Sequence, residues 1–488
     1  MQSRGCEYRL TCWRALAIAL TGLWLAGCAT LSGHHAPPLE VQTALDKAQL
    51  PAEALGLVAF PVDDMRGAWR VNDQRAMQPA STMKLVTTVV ALDRLGPNQR
   101  GRTDLLSDGA VLGDTLQGDL YLRGGADPDL DWAALWQMLS ELRESGVRRI
   151  KGDLVVDRHL FRPARMDLGL APFDEAPEFQ YNVIPDALEL NGNLLGFALS
   201  SDGASISARV SPAWAPVDVI SHLALNDKAC KDWDDDWQLP VVSRQGARWL
   251  IELQRAYPRH CSKQVALNLI DRELLADWAV RSLWTQLGGE INGVTREAAT
   301  PTAARVLATH QARPLAEVIR GMNKRSDNPL TRLVYLSLGV DAPNASGFER
   351  SIDASESVVR AWFKSNGIDD AGLVLDNGSG LSRSERISPS QMAALLQTAY
   401  AGNYRPELMA SLPIVGVDGT MGRRLKDSPA TGRARIKTGT LKNVVAVAGY
   451  VQDAGNRWWV VVATINHDQA KQGWPVLDTV IDWVARQR

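Results

Sequence analysis

The sequence contains few of the residues that build disulfide scaffolds and metal sites. Five cysteines and seven histidines in 488 residues are too few for a disulfide-rich fold, and no H-E-x-x-H or similar metal-binding spacing occurs. It also lacks a basic excess, since 53 Lys and Arg face 55 Asp and Glu. We therefore expect no metal, no cofactor and no nucleic acid partner.

One acidic segment, KDWDDDW at 231–237, is open to two interpretations. It could bind a cation, but it lacks the glycine and the terminal glutamate of a calcium loop. A solvated acidic loop is the interpretation that we favour. The composition as a whole, with 45% hydrophobic and 22% charged residues, is typical of a folded globular protein.

A short apolar segment follows three arginines at the N-terminus. The uncharged run 15–27 is too short to span about 30 Å of hydrocarbon, which predicts a signal peptide over 1–27. The run ends in L-A-G-C, which resembles a bacterial lipoprotein signal and implies lipidation of Cys28. An ordinary signal peptide that contains a cysteine is the alternative.

The same resemblance implies a location. A lipid on Cys28 would anchor the protein to a membrane, and the uncharged Ala29 that follows suggests the periplasmic side of the outer membrane. Residues 28–39 are small, polar and contain proline, which predicts a linker.

The remaining cysteines predict one disulfide. Two cysteines leave with the signal peptide and Cys28 carries the lipid, so Cys230 and Cys261 remain. An exported protein keeps its disulfides, and we expect these two to pair. Two free buried thiols are the alternative.

Hydrophobic periodicity places strands near both ends of the chain and helices around them. The predicted strands near the ends are 55–60, 67–71, 434–438, 444–451 and 458–465. The predicted helices are 40–50, 79–96, 129–145, 272–287, 314–323, 328–338, 350–366, 388–400 and 476–488. Further strands at 119–123, 152–156 and 249–253 lie between the two groups. This order describes one α/β unit that is split by an insertion of about 200 residues.

Ser81 and Lys84 form the one S-x-x-K motif in the chain. On a helix these positions share a face, so the amine can lie within hydrogen-bond reach of the hydroxyl. A serine nucleophile needs a base, and a lysine can serve if burial or a nearby positive charge lowers its pKa. A helix cap with a surface lysine is the alternative.

Two further motifs follow downstream. Ser326-Asp327-Asn328 begins a predicted helix, where a cap is the alternative. Lys437-Thr438-Gly439, followed by Thr440, lies on a predicted strand. A glycine in a strand lets a ligand or another backbone approach closely, although a strand end is the alternative.

In this order the three motifs resemble the signature of penicillin-binding proteins and class A β-lactamases. The gap between Ser81 and Ser326 is too long for a β-lactamase. It resembles class C low-molecular-mass penicillin-binding proteins, the D-alanyl-D-alanine carboxypeptidase/endopeptidase family (peptidase family S13). Three other stretches resemble that family: LRGGADP at 122–128, DNGSGLSR at 376–383 and LPIVGVDGT at 412–420. The lipoprotein signal is a departure from it.

The resemblance implies a fold and a domain order. The expected fold is α/β: a transpeptidase/β-lactamase-like domain, with an antiparallel five-stranded sheet flanked by helices, split by a mainly β two-domain insertion. The catalytic domain would comprise 40–98 and 301–488. Domain II would comprise 99–165 and 263–300, and domain III 166–262.

It also implies roles for the motif residues. Ser81 would attack the carbonyl between two D-alanines of a peptidoglycan stem peptide or cross-link, and Lys84 would take its proton. Ser326 would relay a proton to the leaving group. Asn328 would hold Lys84 and the substrate amide.

Substrate binding would fall to the third motif. Lys437 and Thr438 would bind the terminal carboxylate, and the N–H groups of Ser81 and Thr440, beside Gly439, would form the oxyanion hole. β-Lactams would inhibit the enzyme by acylating Ser81. The rival hypotheses are a β-lactamase-like hydrolase and a catalytically silent lipoprotein that binds peptidoglycan.

Two more residues are candidates for reading the substrate's diamino acid. Arg383 closes the G-S-G-L-S-R stretch, and Asp157 lies in a segment that also holds Phe161. By resemblance, Arg383 would bind the side-chain carboxylate and Asp157 the amine. A surface ion pair for Arg383 and a strand end for Asp157 are the alternatives.

Overall fold

The computed structural model describes residues 36–214, 216–246 and 248–488. The predicted signal peptide, Cys28 and most of the predicted linker lie outside the described residues. Within them, none of the helices combines the length and the apolar character that a membrane span requires.

The α-helices of the described residues are α1 (Leu39–Lys47), α2 (Lys84–Arg94), α3 (Trp132–Glu144), α4 (Arg272–Gln286), α5 (Leu315–Arg325), α6 (Asn328–Leu338), α7 (Ser351–Ser365), α8 (Pro389–Ala401), α9 (Arg405–Ser411) and α10 (Trp474–Ala485). All the longer ones lie within a few residues of a predicted helix. The seven-residue α9 was not predicted, because it offers less than two turns of hydrophobic period.

The strands form two sets. One set lies near the two ends of the chain, and the other lies between these end segments. The first set is β1 (Leu55–Pro61), β2 (Trp69–Val71), β20 (Ala434–Leu441), β21 (Val444–Gln452) and β22 (Trp458–Asn466). The second is β3 (Arg102–Ser107), β4 (Val111–Leu112), β5 (Thr115–Leu116), β6 (Leu120–Gly125), β7 (Arg149–Ile150), β8 (Leu154–Asp157), β9 (Leu195–Ser201), β10 (Ile206–Val210), β11 (Val217–Ser221), β12 (Ala224–Asn226), β13 (Val241–Gln245), β14 (Arg248–Leu253), β15 (Ala256–Pro258), β16 (Ser262–Leu267), β17 (Glu290–Ile291), β18 (Thr295–Glu297) and β19 (Arg305–Gln311).

The first set forms one antiparallel sheet in the order β2-β1-β22-β21-β20. Strands β1, β21 and β22 are buried on both faces because helices cover each side, whereas the edge strand β2 is half-buried. Val58 and Phe60 pack into the core with α2 and α6–α8, whereas Leu57 and Ala59 pack against α1 and α10. This alternation follows from the two-residue period of a strand. The expected five-stranded sheet between helices is confirmed.

The inserted residues form several smaller sheets around a separate core. One five-stranded sheet has the order β18-β8-β6-β3-β19, and β9–β16 form three further sheets. A disulfide joins Cys230 to Cys261. Because β19 pairs with β3, the inserted sheet continues past the boundary expected at residue 300. The division into domains II and III remains a prediction.

The acidic segment 231–237 lies between β12 and β13. Lys228 forms ion pairs with Asp235 and Asp236 in it. Across the described residues, no group of three or more His, Cys, Asp or Glu is arranged to hold a metal ion.

Candidate active site

Ser81 lies in a 3₁₀ turn, Ala80–Met83, that runs directly into α2. We expected an α-helix over the whole motif. In a 3₁₀ turn, residues three apart lie directly above one another, and Lys84 Nζ is 3.0 Å from Ser81 Oγ. The Ser81 hydroxyl does not cap the turn, so the capping alternative fails here.

The Lys84 amine has three polar neighbours and no access to solvent. Besides Ser81 Oγ, Nζ lies 2.6 Å from Asn328 Oδ1 and 2.5 Å from the Ser379 carbonyl oxygen. The residue is 0% exposed. Burial holds the pKa of Lys84 well below its usual 10.5, and the nearby charge of Lys437 lowers it further. Both effects favour the neutral amine that a general base requires.

The S-D-N motif lies at the junction of α5 and α6. Asp327 caps α6 by accepting a hydrogen bond from the Leu330 N–H, so the capping interpretation holds for this residue alone. Ser326, with φ of 60°, ends α5. Asn328 uses its oxygen for Lys84 and donates from Nδ2 to the Tyr181 carbonyl at 3.2 Å. One of its two amide hydrogens is therefore already bonded within the protein.

Lys437 lies on β20, as predicted, and is 0% exposed. Its Nζ donates to Ser326 Oγ and to the Thr438 carbonyl, both at 2.8 Å. Burial lowers the pKa of Lys437 to about 7. The Thr438 hydroxyl lies 2.8 Å from the hydroxyl of Thr420. Thr420 ends the stretch 412–420, which resembles the family but received no predicted role.

Gly439 allows β20, an edge strand, to pass directly alongside Ser81. A Cβ atom at this position would lie 2.7 Å from the Pro79 carbonyl oxygen and 2.9 Å from the Ser81 nitrogen. Only glycine tolerates such an approach. The backbone of Gly439 is thereby held next to the Ser81 N–H, and Thr440, whose N–H was expected to share the oxyanion hole with that of Ser81, is the next residue of β20.

The segment 376–385 closes the other side of the site. Its Ser379 carbonyl contacts Lys84, and Gly380, with φ of +80°, packs where a Cβ would be 1.9 Å from the Ala80 carbonyl oxygen. Sequence reasoning gave a role only to Arg383 in this stretch. The G-S-G pattern was the signal for a tight turn, but nothing in it indicates that a backbone carbonyl faces the lysine.

Arg383 is exposed beside a cleft of about 630 Å³. Its guanidinium lies over the Phe173 ring at 5.5 Å and donates to the Phe173 carbonyl. Asp174 follows Phe173 and accepts a hydrogen bond from the Tyr181 hydroxyl at 2.7 Å. An acidic group therefore does lie near Arg383, but it is Asp174, which the sequence analysis did not single out.

Among the described residues, no hydrogen bond or ion pair joins Asp157 to a residue of the three motifs. Its carboxylate accepts from the N–H groups of His159 and Thr300. Burial alone would raise the pKa of Asp157, but hydrogen bonds from Thr300 and His159 lower it. Phe161, in the same segment, is fully buried against Ala187, Leu333 and Leu336.

Known proteins resemble this chain in sequence and in structure. The sequence pattern of the D-Ala-D-Ala carboxypeptidase 3 (S13) family matches residues 39–486. The chain is 29% identical to the D-alanyl-D-alanine carboxypeptidase DacB of Haemophilus influenzae, over 84% of this chain and 85% of that one. It is 27% identical to a D-alanyl-D-alanine carboxypeptidase of an Actinomadura species, over 84% of this chain and 78% of that one.

A solved structure is similar as well. The crystal structure of penicillin binding protein 4 (dacB) from Haemophilus influenzae superposes with a TM-score of 0.76 at 25% identity, covering 92% of this chain and 100% of that one. A second structure of that protein, complexed with a β-lactam, gives a TM-score of 0.72.

Proposed function

The chain belongs to the D-Ala-D-Ala carboxypeptidase 3 (S13) family and is a serine-type carboxypeptidase of that family, and we propose that it cleaves peptidoglycan stem peptides through an acyl-enzyme on Ser81. The single observation that carries this mechanism is the set of three neighbours around the buried Lys84 amine.

Those neighbours suit both protonation states of the lysine. A neutral amine has two N–H donors and one lone pair. The Asn328 and Ser379 oxygens can only accept, so they take the two donors, and the lone pair is left for the Ser81 hydroxyl. When Ser81 Oγ bonds to the substrate carbonyl carbon, its proton moves to Lys84 Nζ. The resulting ammonium has three donors, which the same surroundings can accept.

The second half of the acylation step would use Ser326. Its hydroxyl, bonded to Lys437 Nζ at 2.8 Å, can give a proton to the amine of the departing D-alanine. The proton that Lys84 took from Ser81 would then replace the one that Ser326 gave, which leaves Lys84 neutral again. The charge that develops on the carbonyl oxygen would be stabilised by the N–H groups of Ser81 and Thr440. Water then cleaves the ester that joins the acyl group to Ser81.

Recognition of the substrate would use both walls of the site. The terminal carboxylate would meet Lys437 and the Thr438 hydroxyl. Arg383, exposed beside the cleft, would pair with the carboxylate of the diamino acid in the stem peptide, since a guanidinium binds carboxylates in a bidentate manner. For Asp157 to bind the amine, its carboxylate would have to release Thr300 or His159. Cleavage of cross-links, the endopeptidase activity, is part of the same proposal.

A periplasmic location with a lipid anchor on Cys28 fits a cell-wall substrate. We expect Cys28→Ser to give a protein that stays in the soluble periplasmic fraction and still reacts with penicillin, because α1 begins 11 residues further on. Retention of this variant in membranes after a salt wash would contradict the anchor.

Labelling with a fluorescent penicillin tests the mechanism. Wild type should bind one label covalently, and Ser81→Ala should bind none while unfolding at the same temperature. Ser357→Ala, in which the lost hydroxyl bonds only to a carbonyl within α7, is the matched control and should label fully. A labelled Ser81→Ala variant would refute the nucleophile, and an unlabelled wild type would favour the catalytically silent lipoprotein. Rapid turnover of nitrocefin would favour the β-lactamase alternative.

A further inference from the structure

A buried carboxyl group lies behind the segment that contacts Lys84. Glu385 is 0% exposed, and its Oε1 accepts hydrogen bonds from the backbone N–H of Gly378 at 2.8 Å and of Asp376 at 3.4 Å. It belongs to neither the three motifs nor the substrate residues proposed above.

Through Gly378, Glu385 is connected to the general base. The Gly378 carbonyl accepts from the Thr87 hydroxyl of α2 at 2.7 Å, so Glu385 and Thr87 hold this residue by its N–H and its C=O. The next carbonyl along the chain is that of Ser379, which lies 2.5 Å from Lys84 Nζ. The position of Glu385 therefore fixes where the Ser379 oxygen lies relative to Lys84.

The second oxygen of this carboxyl is not used for anchoring. Glu385 Oε2 is buried and has no hydrogen-bond partner among the described residues, and the same holds for the Tyr335 hydroxyl. The Tyr335 ring packs against Gly378, where a Cβ would lie 2.5 Å from it. An unpaired buried oxygen opposes folding, so a purely structural role does not account for a carboxyl group here.

The charge of Glu385 acts on Lys84. Burial raises the pKa of Glu385 to about 7, and the Asp376 carboxylate adds to this, while the backbone hydrogen bonds oppose it. In its ionised form Glu385 raises the pKa of Lys84, against burial and Lys437. The charged or titratable groups around Glu385 and Tyr335 are Lys84 of α2, Arg332 and Tyr335 of α6, Glu356 and Arg360 of α7, and Asp376.

We propose that Glu385 is a positioning residue for the general base: it holds the Ser379 carbonyl against Lys84, and its charge tunes how readily Lys84 accepts the Ser81 proton. This rests on the proposed role of Lys84 and adds a residue that acts through it. Glu385 does not touch the substrate or the reacting atoms.

Glu385→Gln separates charge from shape, because glutamine keeps an oxygen for the Gly378 N–H. The rate constant of acylation by a fluorescent penicillin is measured against pH. Wild-type Glu385 is ionised in the upper part of the acidic limb, towards pH 7, and there the anion raises the pKa of Lys84. Without the anion, the acidic limb should move to lower pH. Asp453→Asn is the control: it also neutralises a 0% exposed carboxylate, but in the turn between β21 and β22, and the limb should stay in place. An unmoved limb in Glu385→Gln, or an equal movement in both variants, would overturn the coupling.

Glu385→Ala removes the anchor as well. A folded alanine variant should acylate at least about ten times more slowly, because one charge-assisted hydrogen bond to Gly378 is lost. Wild-type acylation in it would overturn the positioning role. If this variant does not fold, the pH profile of Glu385→Gln decides alone. Ser81→Ala is run beside them: label on that variant would refute the proposed function, whereas an unlabelled Ser81→Ala with an unmoved Glu385→Gln profile would refute only this inference.

Discussion

The Nζ atom of Lys437 donates a hydrogen bond to Ser326 Oγ at 2.8 Å, and this contact joins two motifs that lie far apart in the sequence. It connects the edge strand β20 to the turn between α5 and α6. Lys84 makes the corresponding connection to Asn328 at 2.6 Å. The two buried amines thus hold the S-D-N turn from both sides of the nucleophile.

Replacing Lys437 should therefore weaken catalysis without unfolding the protein. Lys437→Ala removes the cation that we propose to face the substrate carboxylate, and a hydrogen bond to a charged group contributes about 1.5–3 kcal/mol. We expect acylation by penicillin to slow by about 10- to 100-fold. Lys364→Ala, which removes an exposed lysine on α7, should react like wild type. A similar rate in both variants would exclude the carboxylate anchor.

Under the proposed mechanism, the pH dependence of acylation follows from the same two amines. As the pH falls, Lys84 takes up a proton and can no longer accept one from Ser81, so the rate falls. As the pH rises through about 7, Lys437 loses its proton and its charge, so the carboxylate is bound more weakly. We expect a bell-shaped profile for the second-order acylation constant, with its alkaline limb near pH 7.

A penicillin ester provides the control for that profile. Because it has no free carboxylate, it should keep the acidic limb and lose the alkaline one. A free penicillin whose rate constant keeps increasing well above neutral pH would show that Lys437 acts without its charge.

Gly380 and Gly372 test the importance of close packing against Ser81. Both have positive φ, +80° and +74°, so alanine should cost each about 1 kcal/mol of backbone strain. Only at Gly380 would the new Cβ collide with backbone, 1.9 Å from the Ala80 oxygen. At Gly372 its nearest neighbour is 3.5 Å away. Gly380→Ala should lose at least about ten-fold in acylation, whereas Gly372→Ala should lower only the melting temperature. Equal acylation rates would contradict this.

The sequence predicted much of this site because side chains of recognisable type carry it. The period of the S-x-x-K motif placed Lys84 beside Ser81, although in a 3₁₀ turn instead of an α-helix. The strand under the K-T-G motif was predicted from its alternating apolar residues. The full extent of the insertion was harder to predict, because the pairing of β19 with β3, which carries the inserted sheet past residue 300, joins residues far apart in the chain.

What could not be predicted depends on backbone atoms and on tertiary burial. The Ser379 oxygen that contacts Lys84 belongs to the main chain. Because every residue type has this carbonyl group, the sequence contains no signal for the contact. Glu385 lies in the polar stretch S-R-S-E-R, which is typical of a surface, yet the fold buries it completely. The role of Asp157 stays a prediction: in the fold its carboxylate accepts hydrogen bonds from His159 and Thr300, which the sequence did not indicate.

Arg383 and Asp157 carry the last prediction, which concerns substrate choice. If Arg383 pairs with the diamino acid's carboxylate, Arg383→Ala should reduce kcat/KM about ten-fold for peptides with diaminopimelate and leave simple D-Ala-D-Ala peptides unaffected. Arg405→Ala is the matched control, since that arginine also lies over an aromatic ring, Tyr400, at 4.8 Å. Asp157→Ala should change the same preference only if its carboxylate leaves Thr300 in the complex. Because Asp174 directly follows Phe173, whose ring and carbonyl contact Arg383, a preference altered by Asp174→Ala and not by Asp157→Ala would reassign the amine site. An unchanged preference in Arg383→Ala would remove Arg383 from substrate recognition.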